Sequence, residues 1–166
     1  MSYKANRLAA DLLLAQQKEI IAKHQSRLDF NRAKIEHTFK VDEKADCEEN
    51  TDLFFFEYRK LRIACRVRFD ISSSKYGDIT IRSRFGNGKT EIDKINDGYG
   101  DYMLYCWGDK ENIKEYMIID LDVFRESQNE FFLREKVNHD GMTSFYTYDI
   151  NKILKTPCCV VANLKI

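Results

Sequence analysis

Between Arg62 and Phe69 the chain alternates, and this alternation limits the fold more than any other feature. Ile63, Cys65, Val67 and Phe69 fall on one side of an extended segment, and Arg62, Arg66 and Arg68 fall on the other. Strand side chains point to opposite faces with a period of two, so the segment reads as a strand with an apolar face and a cationic face. Asp78 to Arg84 repeats the pattern, with Ile79 and Ile81 inward and Arg82 and Arg84 outward. If the two strands are neighbours, four or five guanidiniums share one surface. Such a surface has three uses. The arginines can pair with nearby acids (those of residues 42–52, or Glu91 and Asp93), bind phosphate through their two-pronged donors, or line a protein interface.

The first glycine is Gly77 and the only proline is Pro157, so nothing in the first 76 residues must break an element. Residues 5–36 are rich in good helix formers, and Leu14, Ile21, Leu28 and Ile35 recur every seven residues. The spacing predicts one long N-terminal helix, or two in line. Its narrow apolar stripe suits either a cover for the sheet or a homodimer seam. Residues 1–40 are thus read as a helical arm and 41–166 as the core domain. An acidic run (Asp42, Glu43, Asp46, Glu48, Glu49) suits a solvated turn, and Leu53-Phe54-Phe55-Phe56 suits a short buried strand. Thr90-Glu91-Ile92-Asp93 reads as a capped helix start, with a hairpin strand as the competing assignment. Tyr102–Trp107 and Glu115–Leu121 read as strands and 122–132 as a helix. Ser144–Tyr148 is a strand, Ile150–Leu154 a helical turn and Cys158–Leu164 a last strand. The fold class is α/β in the α+β sense: a mixed, mostly antiparallel sheet covered by helices.

The 166 residues fit one domain. Lys plus Arg equals Asp plus Glu at 27 each, which argues against a general polyanion binder and leaves room for a local basic surface. The five cysteines are scattered without a C-x-x-C pair and only three histidines exist, which argues against structural zinc. With a polar start at Met1-Ser2-Tyr3-Lys4 and no long apolar run, the expectation is a cytoplasmic protein that does not cross a membrane. The tyrosine-rich C-terminal half (Tyr99, Tyr102, Tyr105, Tyr116, Tyr146, Tyr148, with Trp107) reads mainly as sheet core, with base stacking as the functional alternative.

Acids near strand ends are the residues that could hold Mg²⁺, a hard cation that takes oxygen ligands. Asp46, Asp52, Asp78, Glu91 and Asp101 are the candidates, and Asp52 is best placed because it directly precedes an apolar strand. The order of helix, Asp52 before a strand, charged strand, helix and Asp101-Tyr102-Met103-Leu104-Tyr105 resembles the PD-(D/E)XK nuclease superfamily, over about residues 30–125. The resemblance implies a nuclease-like αβββαβ core, with Thr51-Asp52 at the first catalytic Asp and Ile63–Arg68 at the (D/E)-x-K strand. Here Ala64 stands in the acid's place and Arg66 in the lysine's. An alternative frame uses Asp78 as first acid with Glu91, Asp93 and Lys94, at spacings that depart from the pattern by one residue. In general character the chain also resembles small bacteriophage or prophage proteins. Gly88-Lys89-Thr90 lacks the glycine a phosphate-binding P-loop needs at Ser83, and no G-x-S-x-G elbow exists.

These readings give two expectations. The first is a nucleic-acid-binding protein with a PD-(D/E)XK-like core, a catalytically degenerate or unusual nuclease. DNA or RNA would lie on Arg62, Arg66, Arg68, Arg82 and Arg84. If it is active, Asp52, Glu91 and Lys94 would be catalytic, with Mg²⁺ on Asp46, Asp52 and Glu91. The second is a phage-type inhibitor that blocks a host defence protein through the acidic loop and N-terminal helix.

Overall fold

Two β-sheets set one against the other carry the fold, in a computed structural model that describes residues 13–28, 38–40, 53–55, 61–69, 72–86, 88–139 and 141–165. Nine strands are described: β1 (Thr38–Lys40), β2 (Leu53–Phe55), β3 (Leu61–Phe69), β4 (Asp78–Phe85), β5 (Tyr102–Gly108), β6 (Ile113–Asp120), β7 (Phe132–Val137), β8 (Thr143–Asp149) and β9 (Cys159–Asn163). The helices are α1 (Leu14–Lys23), α2 (Ser73–Tyr76), α3 (Glu91–Asn96), α4 (Leu121–Phe131) and α5 (Ile150–Leu154). Six strands form one sheet in the order β1-β2-β3-β5-β6-β9, and three form another in the order β4-β8-β7. Among the described strands only β3 and β5 run parallel. The protein is therefore of the α+β class with mostly antiparallel sheets.

Every residue of β5 is buried, as a central strand covered on both faces must be. On one face Ile63, Leu104, Cys106, Ile118 and Val161 pack against Ile21 and Leu28. On the other, Ala64, Met103, Tyr105, Trp107 and Met117 meet Ile79 and Ile81 of β4, Ile92 and Ile95 of α3, and Phe124 of α4. The large sheet is thus the middle layer. The small sheet and its helices lie on the face that also carries the arginines of β3.

Three expectations need correction. The long N-terminal helix is not there within the described residues: α1 ends at Lys23, a 3-10 turn spans Gln25–Arg27, and Leu28 is extended at φ −81°, ψ 148°. Burial explains the break. Leu28 is 3% exposed and joins the cluster of Leu61 and Ile63, so tertiary packing overrides the helix propensity of the segment. Residues 5–12 and 29–36 of the expected helix lie outside the described residues. Second, the strands form two sheets rather than one, because β4 leaves β3 and pairs with β8. The strands that the nuclease-like unit would place together therefore divide between two sheets. Third, Phe132–Val137 is a strand, where sequence reading placed only the end of a helix. Between the helix and hairpin readings of 90–96, the helix holds. Thr90 and Asp93 form a reciprocal capping box, and Asp93 is pulled below the usual carboxylate range chiefly by the Thr90 N–H.

Candidate functional site

The cationic face of β3 is turned toward the small sheet and meets acids there. Asp78, the first residue of β4, is 3% exposed. Its carboxylate accepts from Arg68 Nη1 at 2.9 Å and from Lys136 Nζ of β7 at 2.8 Å. Arg68 Nη1 also donates to the Asp78 carbonyl at 2.9 Å. Gly77, left-handed at φ 62°, makes the turn from α2 into β4 that sets Tyr76 beside this pair.

Glu91 opens α3, and the Thr90 cap fixes where that helix begins. Its Oε2 accepts from Arg66 Nη1 and from the backbone N–H of Arg82, the latter at 3.1 Å. The backbone N–H of Thr80 donates to Tyr105 Oη at 3.0 Å. These two N–H groups lie on the edge of β4 away from β8. An open strand edge leaves donors that need partners, and here a carboxylate and a phenol supply them. Glu91 thereby fastens β3, β4 and α3 together.

Aromatic rings lie among these cations. Arg68 Cζ, Lys136 Nζ and Lys75 Nζ sit 5.7, 5.3 and 5.4 Å from the ring centre of Tyr76. Arg66 Cζ is 6.0 Å from the centre of Phe145, and Arg82 Cζ is 5.2 Å from that of Phe85. Strand register puts Arg82, Phe145 and Lys136 side by side across β4, β8 and β7. Tyr76 and Phe85 are 52% and 54% exposed.

Not every residue singled out from the sequence joins this cluster. Arg62 donates to Asp101 through its backbone N–H at 2.7 Å and through Nη2 at 3.3 Å, and to the Gly98 carbonyl at 3.0 Å. It thus locks the start of β3 against the loop into β5, and Asp101 is engaged there. Arg84 is exposed and donates to the Gly141 carbonyl at 2.8 Å across the β7–β8 turn. Lys94 is half-buried on α3. Asp46, Asp52 and the acidic run of 42–49 lie outside the described residues. Ala64, where the resemblance would put an acid, is 3% exposed and packs with Ile79 and Ile81. Sequence reading missed Tyr76, Phe85, Lys136 and Phe145. The alternation Arg134-Glu135-Lys136 was the available signal for Lys136.

Among the described residues no three His, Cys, Asp or Glu side chains gather as metal ligands would. Both oxygens of Asp78 and Oε2 of Glu91 already face cations, so these acids do not fit a Mg²⁺ site as they stand. The arrangement is a set of preorganised cations with aromatic neighbours, and it suits holding an anion. Among the described residues no helix is long and apolar enough to cross a membrane. In comparison with known proteins, no family model matches the chain and no curated protein matches it.

Proposed function

We propose that the protein binds nucleic acid through phosphate contacts on the surface formed by β3, α2, β4 and β7. One observation carries this reading. Arg66 and Arg68 of β3, Lys75 of α2, Arg82 of β4 and Lys136 of β7 gather there from four elements of a chain with no net charge, around Asp78 and Glu91. Glu91 and Asp78 hold Arg66 and Arg68 in place, and the gathered cations suit the phosphates of a polyanion. In this reading the chain binds nucleic acid without cleaving it, acting in the cytoplasm. Cys106, Cys158 and Cys159 are free thiols, which suits a reducing compartment.

A gel-shift series in rising salt tests the proposal, using the protein and a Lys75→Ala/Arg82→Ala variant that leaves the Arg66–Glu91 and Arg68–Asp78 pairs intact. Binding at low salt that fades with added salt and weakens in the variant supports it. No binding to any nucleic acid at low salt removes it. An Arg66→Ala/Arg68→Ala variant serves as a second arm, with circular dichroism to check that it folds.

One observation favours the inhibitor reading. Phe132, Leu133, Val137 and Met142 are exposed on or next to β7, the outer strand of the small sheet. Apolar side chains beside a strand edge that no described strand pairs suit a protein partner. A host-protein inhibitor would use this edge, and Leu133→Glu/Val137→Glu would release such a partner without changing nucleic-acid binding.

A further inference from the structure

We infer that the preferred ligand of this surface is an unpaired strand, held with its bases stacked on Tyr76 and Phe85. The inference rests on the phosphate-binding reading above and names the substrate class.

The order of groups along β4 carries the argument. Tyr76 precedes the strand, and Phe85 ends it. Between them come first the Asp78 pair with Arg68 and Lys136, then the Glu91 pair with Arg66, opposite Arg82 and Phe145. Cations therefore follow one line with an exposed ring at each end. At a strand rise of roughly 3.3 Å per residue, that line runs on the order of 25 Å. A backbone-tracking groove that serves about four or more nucleotides has this scale.

Depth separates the two forms of nucleic acid. The side chains of Arg66 and Arg68 are only 21% and 15% exposed, and both are tied to acids. They cannot extend into a groove of a stiff duplex. A flexible strand can bring its phosphates down to them. The rings make the same distinction. Arg82 lies by the Phe85 ring, and Arg68 and Lys136, which share Asp78, lie by Tyr76. About half of each aromatic residue still faces solvent. An unpaired base offers a π-face to such a ring, whereas a duplex keeps its faces stacked within itself.

The test is fluorescence anisotropy with a labelled oligothymidine of about 20 nucleotides, against a hairpin duplex of equal nucleotide count, in about 50 mM NaCl. The protein is compared with Tyr76→Ala, Phe85→Ala, the double variant and Tyr76→Phe. The single strand is expected to bind at least about tenfold more tightly than the duplex. Each alanine variant should weaken single-strand binding about fivefold or more while leaving the salt dependence unchanged, because phosphate contacts remain. Tyr76→Phe should bind as the parent does. Equal or tighter duplex binding, or a double variant indistinguishable from the parent, overturns the stacking inference and leaves the phosphate reading standing. Absence of binding to either probe overturns both.

Discussion

Arg66 on β3 and Glu91 at the head of α3 meet across the space between the two sheets, and the same Glu91 oxygen accepts the N–H of Arg82 on the β4 edge. Their side chains are 21% and 14% exposed, so this is a largely buried pair. The pair serves two purposes at once. It closes a strand edge, and it fixes a guanidinium on the face where Arg68 and Lys136 meet Asp78.

Glu91→Ala removes the acceptor for both donors and leaves a cation with little solvent. Removing one member of a fully buried pair costs about 3–5 kcal/mol. With the remaining exposure here, about 2–3 kcal/mol is expected in urea unfolding. Glu91→Gln keeps an oxygen for the Arg82 N–H and should lose less. An equal loss in both variants would show that the charge carries the whole effect.

Thr90→Ala deletes the cap that sets where α3 starts. A loss of about 1 kcal/mol is expected by chemical denaturation. It should be accompanied by weaker ligand binding, because Glu91 is the next residue. A variant with unchanged stability would contradict the capping account.

His24 gives the protein a pH dependence of known sign. Its Nε2 lies 2.8 Å from Tyr116 Oη. Burial, then Lys23 and Arg27, lower its pKa from the ordinary value of 6.5. The unfolded chain therefore binds the proton more readily than the folded one. The stability His24 contributes is complete above pH 6.5 and is lost as pH falls from there through the lowered folded value. Melting temperatures at decreasing pH should drop more steeply for the parent than for His24→Gln. Parallel curves would show that His24 does not couple to folding.

Ile21→Ala opens a cavity beneath α1, since Ile21 is fully buried against the large sheet. A cost of about 2–4 kcal/mol is expected. A negligible cost would mean that α1 is not anchored there and would return Ile21 to the dimer seam that its heptad spacing also allowed.

Much of the local structure was legible because it follows from period and cap chemistry. The two faces of β3 are separated as the alternation of Ile63 and Arg66 requires, and Thr90 caps α3 as its sequence says. The pairing of Arg66 with Glu91 was among the stated alternatives, and that of Arg68 with Asp78 was not. Tyr102, Tyr105, Trp107, Tyr116 and Tyr148 are buried, as the core reading had them. What stayed hidden is long-range. Nothing local in Asp78–Phe85 says that it pairs with Thr143–Asp149 rather than with β3, and the identity of the β4 edge donors depends on that choice. The end of the N-terminal helix was hidden for the same reason, since Leu28 leaves the helix to bury itself among residues far along the chain. Lys136 reaches Asp78 from 58 residues away, through a strand whose charged and exposed residues give no burial signal.

The most direct measurement is the salt dependence of single-strand affinity, taken as the slope of log Kobs against log salt. With about three to five phosphates held by the cations around Asp78 and Glu91, a slope of roughly −2 to −3.5 is predicted, shallower in Lys75→Ala/Arg82→Ala. A slope near zero, or one unchanged in that variant, would contradict the account.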